Sequence, residues 1–102
     1  MPLRGVILHH RAAHESRQAE RTYRHHSPAA AQRFRQAVNE VIQRIATAAE
    51  QGSPYLQHFR WMQVKRFPYL LYYEIRDPDP IFVYAVAHTS RRPGYWRRRR
   101  PP

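Results

Sequence analysis

The sequence contains no cysteine among its 102 residues and only three glycines. Without thiols the chain has no disulfide framework, no thiolate nucleophile and no cysteine-based zinc site. Neither a phosphate-binding loop nor a dinucleotide-binding fingerprint is present, and the GxSxG and HExxH signatures are absent as well. These absences exclude the commonest nucleotide-binding, serine-hydrolase and zinc-peptidase classes.

Long apolar runs are also missing. The longest mainly apolar stretch, Phe67 to Tyr73, is far shorter than the roughly 20 residues that span a bilayer. Residues Met1 to His10 lack the apolar core and small-residue cleavage site of a signal peptide. We therefore expect a cytoplasmic protein with no membrane partner.

Acidic residues are scarce: 7 stand against 18 basic ones, which gives a net charge of +11. Such an excess favours a polyanionic partner, whether nucleic acid, a nucleoprotein machine, an anionic membrane or an acidic protein. All the basic residues except Lys65 are arginines, whose guanidinium groups bind phosphate and carboxylate through two parallel hydrogen bonds. A GC-rich genome would produce the same choice of arginine over lysine. So few acids argue against a two-metal nuclease.

Histidines are the remaining candidates for metal binding. His10 and His14 are four residues apart and could share one helical face, but a metal site needs further ligands at fixed geometry. We favour solvated surface histidines and expect neither a metal nor another cofactor.

The first half of the chain predicts one strand followed by two helices. Leu3 to His9 is typical of a strand, and Arg11 to His26 of a helix with a thin apolar face. Ser27 and Pro28 provide the N-cap and first residue of a second helix, and we expect Gly52 to end it in the left-handed conformation. This second helix has a broad apolar face made of Phe34, Val38, Val41, Ile42, Ile45 and Ala49.

The second half of the chain predicts three strands. His58 to Phe67, Tyr69 to Arg76 and Ile81 to His88 are rich in aromatic and β-branched residues. Asp77 to Pro80 predicts the turn of an antiparallel hairpin, and Pro68 should mark the start of its strand. The fold class is therefore α+β: a strand, a helical hairpin, then a three-stranded antiparallel meander.

The C-terminal segment is rich in arginine and proline. We expect Thr89 to Pro102 to be mostly extended, with a Pro-Gly turn that folds Tyr95 and Trp96 back onto the sheet. Arg97 to Arg100 predicts a solvated basic run. We accordingly assign residues 1–96 to a single domain and residues 97–102 to a basic tail.

Three motifs carry a resemblance to a known family. Arg66 to Ile75 resembles the RFPYxxxYxI segment of ParE-type toxins, and Ala85 to Trp96 resembles their AVxHxxRRPGYW ending. Ser27 to Phe34 is similar to the SPxxAxxF start of their second helix. The resemblance covers most of the chain from Ala19 onward. It identifies a member of the RelE/ParE superfamily, nearer the ParE-like branch, with a β-α-α-β-β-β order.

The resemblance implies the toxin of a bacterial type II toxin–antitoxin, or plasmid stabilisation, system. A small, acidic and partly disordered antitoxin would neutralise it in a hetero-oligomer. ParE-like members inhibit DNA gyrase and are not enzymes, whereas RelE-like members cleave mRNA in the ribosome without metal. Inhibition of gyrase is our first hypothesis. The alternatives are mRNA cleavage and a basic nucleic-acid-binding module without toxicity.

An RNA-cleaving site would need a base, an acid and a cation beside the phosphate. His88 could act as acid or base, because an unperturbed imidazole titrates near neutral pH. Arg66, Arg91 or Arg92 could hold the phosphate, and Tyr95 or Tyr73 could stack on a base or donate a proton. Alternatively, His88 forms a hydrogen bond at the end of the sheet and the arginines are solvated.

A surface that binds the target or the antitoxin should combine cations with aromatic side chains. About half of the strand aromatics should lie on the open face of the sheet, beside basic residues. The candidate binding residues are Arg60, Lys65, Arg66, Arg91, Arg92 and Trp96.

Overall fold

One strand and two helices precede four further strands in the computed structural model, which describes residues 4–101. The predicted α+β order is confirmed, with one additional short strand. The elements are β1 (Val6–Leu8), α1 (His10–His26), α2 (Pro28–Ala48), β2 (Ser53–Tyr55), β3 (Phe59–Gln63), β4 (Tyr69–Ile75) and β5 (Ile81–His88).

The strands form one mixed sheet in the order β1-β5-β4-β3-β2. β1 lies parallel to β5, with Val6 opposite Ile81, and all other pairs are antiparallel. The unpredicted β2 is an edge strand, which is where Pro54 is tolerated because proline cannot donate to a ladder. The predicted start of β1 at Leu3 lies outside the described residues.

The hairpin formed by β4 and β5 contains a β-bulge. Tyr72 pairs with Ala85 but Tyr73 pairs with Val83, so that Tyr84 is an extra residue in β5. A bulge locally disrupts the ladder and re-aims backbone groups. The predicted hairpin turn at residues 77–80 is confirmed. The predicted strand from His58 to Phe67 is shorter than expected, because the chain leaves the sheet after Gln63.

The two ends of α2 are stabilised differently. At its start the prediction is confirmed, since the Ser27 hydroxyl accepts a hydrogen bond from the backbone N–H of Ala30 at 2.9 Å. At its end the prediction is wrong: α2 continues into a 3-10 turn (Ala49–Gln51), and Gly52 has an extended conformation with φ −64°. Glycine is needed at this position because a Cβ atom would overlap the Tyr73 hydroxyl group.

The main core lies between the helices and one face of the sheet. The fully buried side chains of α1 are the small ones of Ala12 and Ala19, so that this helix can lie close to β5, and Tyr23 near its end is partly buried against Phe34. Ile42 is only partly buried at the margin of the core, whereas Ile45 is fully buried. The larger buried side chains of this core are Phe34, Val38, Val41, Ile45, Leu71, Tyr73 and Val83.

A second apolar cluster covers the opposite face of the sheet. Trp96 is 0% exposed and packs against Tyr55, Phe59, Tyr72 and Tyr84 at ring-centroid distances of 4.8–5.9 Å. The predicted docking of this tryptophan is confirmed, and a turn with Gly94 at φ +78° brings it there. The C-terminal segment through residue 99 is therefore not the extended chain that we expected.

Within residues 4–101, neither helix combines the length with the apolar character that crossing a bilayer would require.

Ile45→Ala should lower the free energy of unfolding by about 2–5 kcal/mol, because it leaves a cavity at a site with no exposed surface. Ile42→Ala is the matched control, and we expect a clearly smaller loss at this partly buried position. Urea denaturation followed by circular dichroism measures both values. Equal losses for the two variants would contradict the placement of the core.

Candidate functional site

The carboxylate of Glu15, in the middle of α1, joins three parts of the fold. Its two oxygens bind the guanidinium of Arg99 at 2.9 and 2.8 Å. Oε2 also accepts the hydroxyl hydrogen of Tyr95 at 2.6 Å, and Oε1 accepts the backbone N–H of Val86 at 3.0 Å. We call Glu15, Tyr95, Arg99 and these backbone contacts the Glu15 cluster. It ties the C-terminal segment to α1 and β5.

The Glu15 cluster replaces a missing strand neighbour of β5. The ladder with β1 ends at the pair Leu8 and Val83, so the last residues of β5 have no strand beside them on that side. In that stretch the N–H of Val86 donates to Glu15, and the carbonyl of Tyr84 accepts from Arg99 at 2.9 Å. Buried backbone groups need such partners, because an unpaired one costs free energy.

Electrostatics keep this carboxylate ionised. Burial alone would raise the pKa of Glu15, but hydrogen bonds from Arg99 and Tyr95 outweigh it and hold the pKa below its ordinary value. Burial and the hydrogen bond to Glu15 both raise the pKa of Tyr95. The phenol of Tyr95 therefore stays protonated at neutral pH, with its hydrogen directed at Glu15.

A polar groove of about 340 Å³ lies between α1 and the end of β5. His88, on its floor, accepts a hydrogen bond from the backbone N–H of Ser90 through Nδ1 at 3.0 Å. A neutral ring held in this way carries its proton on Nε2, which makes the free nitrogen a donor. We call this the His88 groove, and its polar lining consists of His14, Glu15, Gln18, Thr22, Tyr69, His88, Arg91 and Tyr95.

Three of the residues proposed for RNA cleavage line the His88 groove, namely His88, Arg91 and Tyr95. The others, Arg66, Arg92 and Tyr73, do not line it. The hydroxyl hydrogen of Tyr95 is already bound to Glu15, and the Nδ1 lone pair of His88 is already used. The groove therefore offers a cation and an imidazole N–H donor, but none of these three side chains presents a free base.

A second groove of about 600 Å³ lies between α2 and the loop that joins β3 to β4. Arg66 is in this loop, at φ +72°, and its side chain is exposed. Lys65 and Arg33 also line the groove, together with the partly buried rings of Tyr23 and Phe67. This α2 groove combines cations with an aromatic floor.

Two of the predicted binding residues have structural contacts instead of a free side chain. Arg60 donates from Nη1 to the carbonyl oxygens of Glu50 at 3.2 Å and Gly52 at 2.8 Å, just beyond the end of α2. The indole ring of Trp96 is fully buried and presents no surface to a partner. Arg92, in contrast, is exposed, and it lines a small pocket together with Trp96 and the last residues of β5.

Glu15 was not predicted as a functional residue, and the predicted environment of Arg99 differs from the one observed. A signal for Glu15 exists, because it lies three residues after Ala12 and four before Ala19, on the buried face of α1. A single acid on such a face predicts a buried partner. For Arg99 the prediction of a solvated side chain is wrong, since only 11% of it is exposed.

Metal-ligating side chains do not assemble in the described structure: residues 4–101 contain no group of three or more histidines or acids close enough to share an ion.

A family model described as the ParE toxin of the type II toxin–antitoxin system parDE matches residues 6–93. The match runs from the start of β1 to the Pro-Gly turn and stops before Tyr95, Trp96 and Arg99. No curated protein matches the chain.

Glu15→Ala should lower the free energy of unfolding at pH 7 by about 3–5 kcal/mol, because it leaves the partly buried Arg99 guanidinium without its counter-ion. Because the pKa of Glu15 is below its ordinary value of 4.5, its contribution is complete above that pH and is lost as the pH falls through the folded-state pKa. The difference in the free energy of unfolding between wild type and the Glu15→Ala variant should therefore become smaller below about pH 4.5.

Glu40→Ala is the control for this experiment. It makes the same substitution in an exposed position of the other helix, so we expect a change within about 0.5 kcal/mol at every pH. Thermal melting at several pH values between 3 and 7, roughly spanning the carboxylate range, measures both variants. A gap for Glu15→Ala that did not vary with pH would contradict the ionised cluster.

Proposed function

Since the chain belongs to the ParE toxin family of type II toxin–antitoxin systems, within the RelE/ParE superfamily, we propose that it inhibits DNA gyrase and is neutralised by a cognate antitoxin. A toxin of this kind acts by binding to its target and is not itself an enzyme. Gyrase acts on DNA in the bacterial cytoplasm, so we also propose a cytoplasmic location for this protein. Stabilisation of a plasmid in a bacterial host is the corresponding biological role.

The hydrogen bonds that His88 and Tyr95 already form in the His88 groove are the observation that favours a binding mechanism over catalysis. A metal-independent nuclease needs a base that can accept the 2′-hydroxyl proton. Here the free nitrogen of the His88 ring is a donor in the neutral state, and Tyr95 is hydrogen-bonded to Glu15. Arg66, one of the three arginines that could hold the phosphate, lies in the α2 groove instead. These contacts favour inhibition by binding over catalysis.

The α2 groove supports the proposal of an acidic antitoxin. Its lining combines the cations Arg33, Lys65 and Arg66 and the acid Glu40 with the partly buried rings of Tyr23 and Phe67. An extended or helical peptide can place an apolar anchor on these rings while its carboxylates meet the cations. A partly disordered acidic segment has these properties, and its binding would create a toxin–antitoxin hetero-oligomer.

A ribosome-dependent mRNA endonuclease is the second candidate. The observation in its favour is that His88, Arg91 and Tyr95 share one groove, where a cation, a donor and an aromatic ring could meet an RNA phosphate and base. In that case His88 would act as the general acid, and the base would have to come from elsewhere. A nucleic-acid-binding module without toxicity is the third possibility.

Expression of the chain from an inducible promoter should arrest bacterial growth with filamentation and an SOS response, because stalled gyrase leaves broken DNA. Co-expression of the neighbouring reading frame should relieve the arrest. His88→Ala should keep its full toxicity, and the purified protein should inhibit supercoiling by gyrase. Growth curves, an SOS reporter and a plasmid supercoiling assay measure these results.

Rapid arrest of translation, abolished by His88→Ala, would instead favour the mRNA endonuclease. No arrest by a correctly folded protein would exclude both toxin mechanisms and leave the nucleic-acid-binding module. Far-ultraviolet circular dichroism and a cooperative melting transition establish folding in each case.

Lys65→Glu combined with Arg66→Glu should weaken binding of the neighbouring reading frame's product by about tenfold or more, since reversed charges at a binding surface cost several kcal/mol. Arg44→Glu combined with Arg76→Glu is the control. It changes the net charge equally at exposed positions outside the α2 groove. Titration calorimetry measures both affinities. An equal loss in the two double variants would reduce the effect to net charge and contradict the proposed docking site.

A further inference from the structure

A third groove, of about 520 Å³, lies where the C-terminal segment crosses the start of α1. We propose that this groove binds the phosphate backbone of duplex DNA. The inference rests on the proposed function, because an inhibitor of a DNA-bound enzyme gains affinity when it also contacts the DNA beside that enzyme. We call it the C-terminal basic groove, and it is lined by His9, Arg11, Arg91, Tyr95, Arg98 and Arg99.

The charge of the C-terminal basic groove is almost entirely positive. Arg11, Arg91 and Arg98 are exposed, and within residues 4–101 none of them forms an ion pair with a carboxylate. The acid of this region, Glu15, is already engaged by Arg99, Tyr95 and a backbone N–H. Three guanidinium groups without a carboxylate partner in residues 4–101 are thus left for an outside anion, and that of Arg91 also lies over the Tyr95 ring.

Hydrogen bonds hold the backbone that carries Arg98 and Arg99 in place. Arg99 is fixed by Glu15, and the preceding turn is closed by hydrogen bonds from the N–H of Arg97 to Gly94 at 3.0 Å and from that of Arg99 to Trp96 at 2.9 Å. Arg98 therefore projects from an ordered backbone between a buried tryptophan and an anchored arginine. Binding by such a surface loses less conformational entropy than binding by a flexible basic tail.

The positive charges of this groove also act on His9, the histidine in its lining. Burial, together with the charges of His10, Arg99 and Arg11, lowers the pKa of His9 below its ordinary value of 6.5. Its Nδ1 accepts a hydrogen bond from the backbone N–H of Arg11 at 3.0 Å, which is consistent with a neutral ring. His9 thus contributes shape to the groove, and arginine side chains contribute its charge.

The chemistry of the lining favours a duplex over single-stranded nucleic acid. Unpaired bases are recognised mainly by stacking on open aromatic faces. Here the guanidinium carbon of Arg91 lies 3.8 Å from the centroid of the Tyr95 ring, so that this face is covered. Trp96 is buried. Guanidinium groups instead match phosphate oxygens, which a duplex presents along its whole length.

The same lining disfavours an acidic peptide. A peptide of that kind gains most of its affinity from an apolar anchor in a pocket. Among the described residues, the lining of the C-terminal basic groove includes no aliphatic side chain, and Arg91 covers one face of its Tyr95 ring. The α2 groove, in contrast, has the rings of Phe67 and Tyr23. The two grooves therefore suit different partners.

The test measures binding of the full chain to a fluorescent duplex of about 20 base pairs, by anisotropy, at a series of salt concentrations. Arg11→Gln combined with Arg98→Gln should weaken binding and lower the slope of log affinity against log salt by about 2, one for each lost phosphate contact. Arg44→Gln combined with Arg76→Gln is the control. It removes the same charge from exposed sites outside the groove and should leave the slope nearly unchanged.

Failure of wild type to bind the duplex at low salt would overturn the proposal, as would an equal effect of the two double variants. Tighter, groove-dependent binding of a single-stranded oligonucleotide, or of a poly-glutamate peptide, would also overturn it and assign the groove to that ligand. The measurement needs neither gyrase nor toxicity. A negative result therefore leaves the supercoiling assay to decide the proposed function on its own.

Discussion

The partly buried carboxylate of Glu15 determines how the C-terminal segment of this protein is arranged. An ionised group of this kind is stable away from water only when most of its hydrogen-bonding capacity is used. Tyr95 and Arg99 of the C-terminal segment fill that capacity together with the N–H of Val86 in β5. Their common dependence on one acid places α1, the free side of β5 and the C-terminal segment in a fixed relation. The shapes of the His88 groove and of the C-terminal basic groove both follow from it.

Local signals predicted most of the fold. The helical spacing of Phe34 and Ile45 and the cap at Ser27 identified α2, because burial and capping depend on residues close together in sequence. β2 was missed because it has three residues and contains Pro54, which is atypical of strands. The function of Gly52 was also misjudged. Its need for a small side chain comes from Tyr73, a residue distant in sequence, and a local conformational argument cannot detect that contact.

The candidate site was predicted less well than the fold, because basic residues look alike in a sequence and differ only in what surrounds them. Arg60 stabilises the end of α2, Arg66 lines the α2 groove, and Arg91 lies over Tyr95. A count of charges gives all three the same expected role. The motif at the end of β5 marked His88, Arg91 and Tyr95 as candidates, and these three side chains line one groove. The motif could not indicate which of their hydrogen-bonding atoms are already engaged, and the proposal of binding over catalysis rests on that observation.

The strand edges of the sheet have a consequence for how the molecule meets other proteins. β1 and β2, the two outer strands, have only three residues each, and Pro54 interrupts the row of donors in β2. Where β5 extends beyond β1, the Glu15 carboxylate accepts a hydrogen bond from the N–H of Val86, and the Arg99 guanidinium donates one to the carbonyl oxygen of Tyr84. Within residues 4–101 the sheet therefore leaves little open backbone on which a second copy could extend it. An apolar strand as long as β5 would otherwise be a hazard for intermolecular β-sheet aggregation. Recognition by other proteins must then depend on side chains and surface shape.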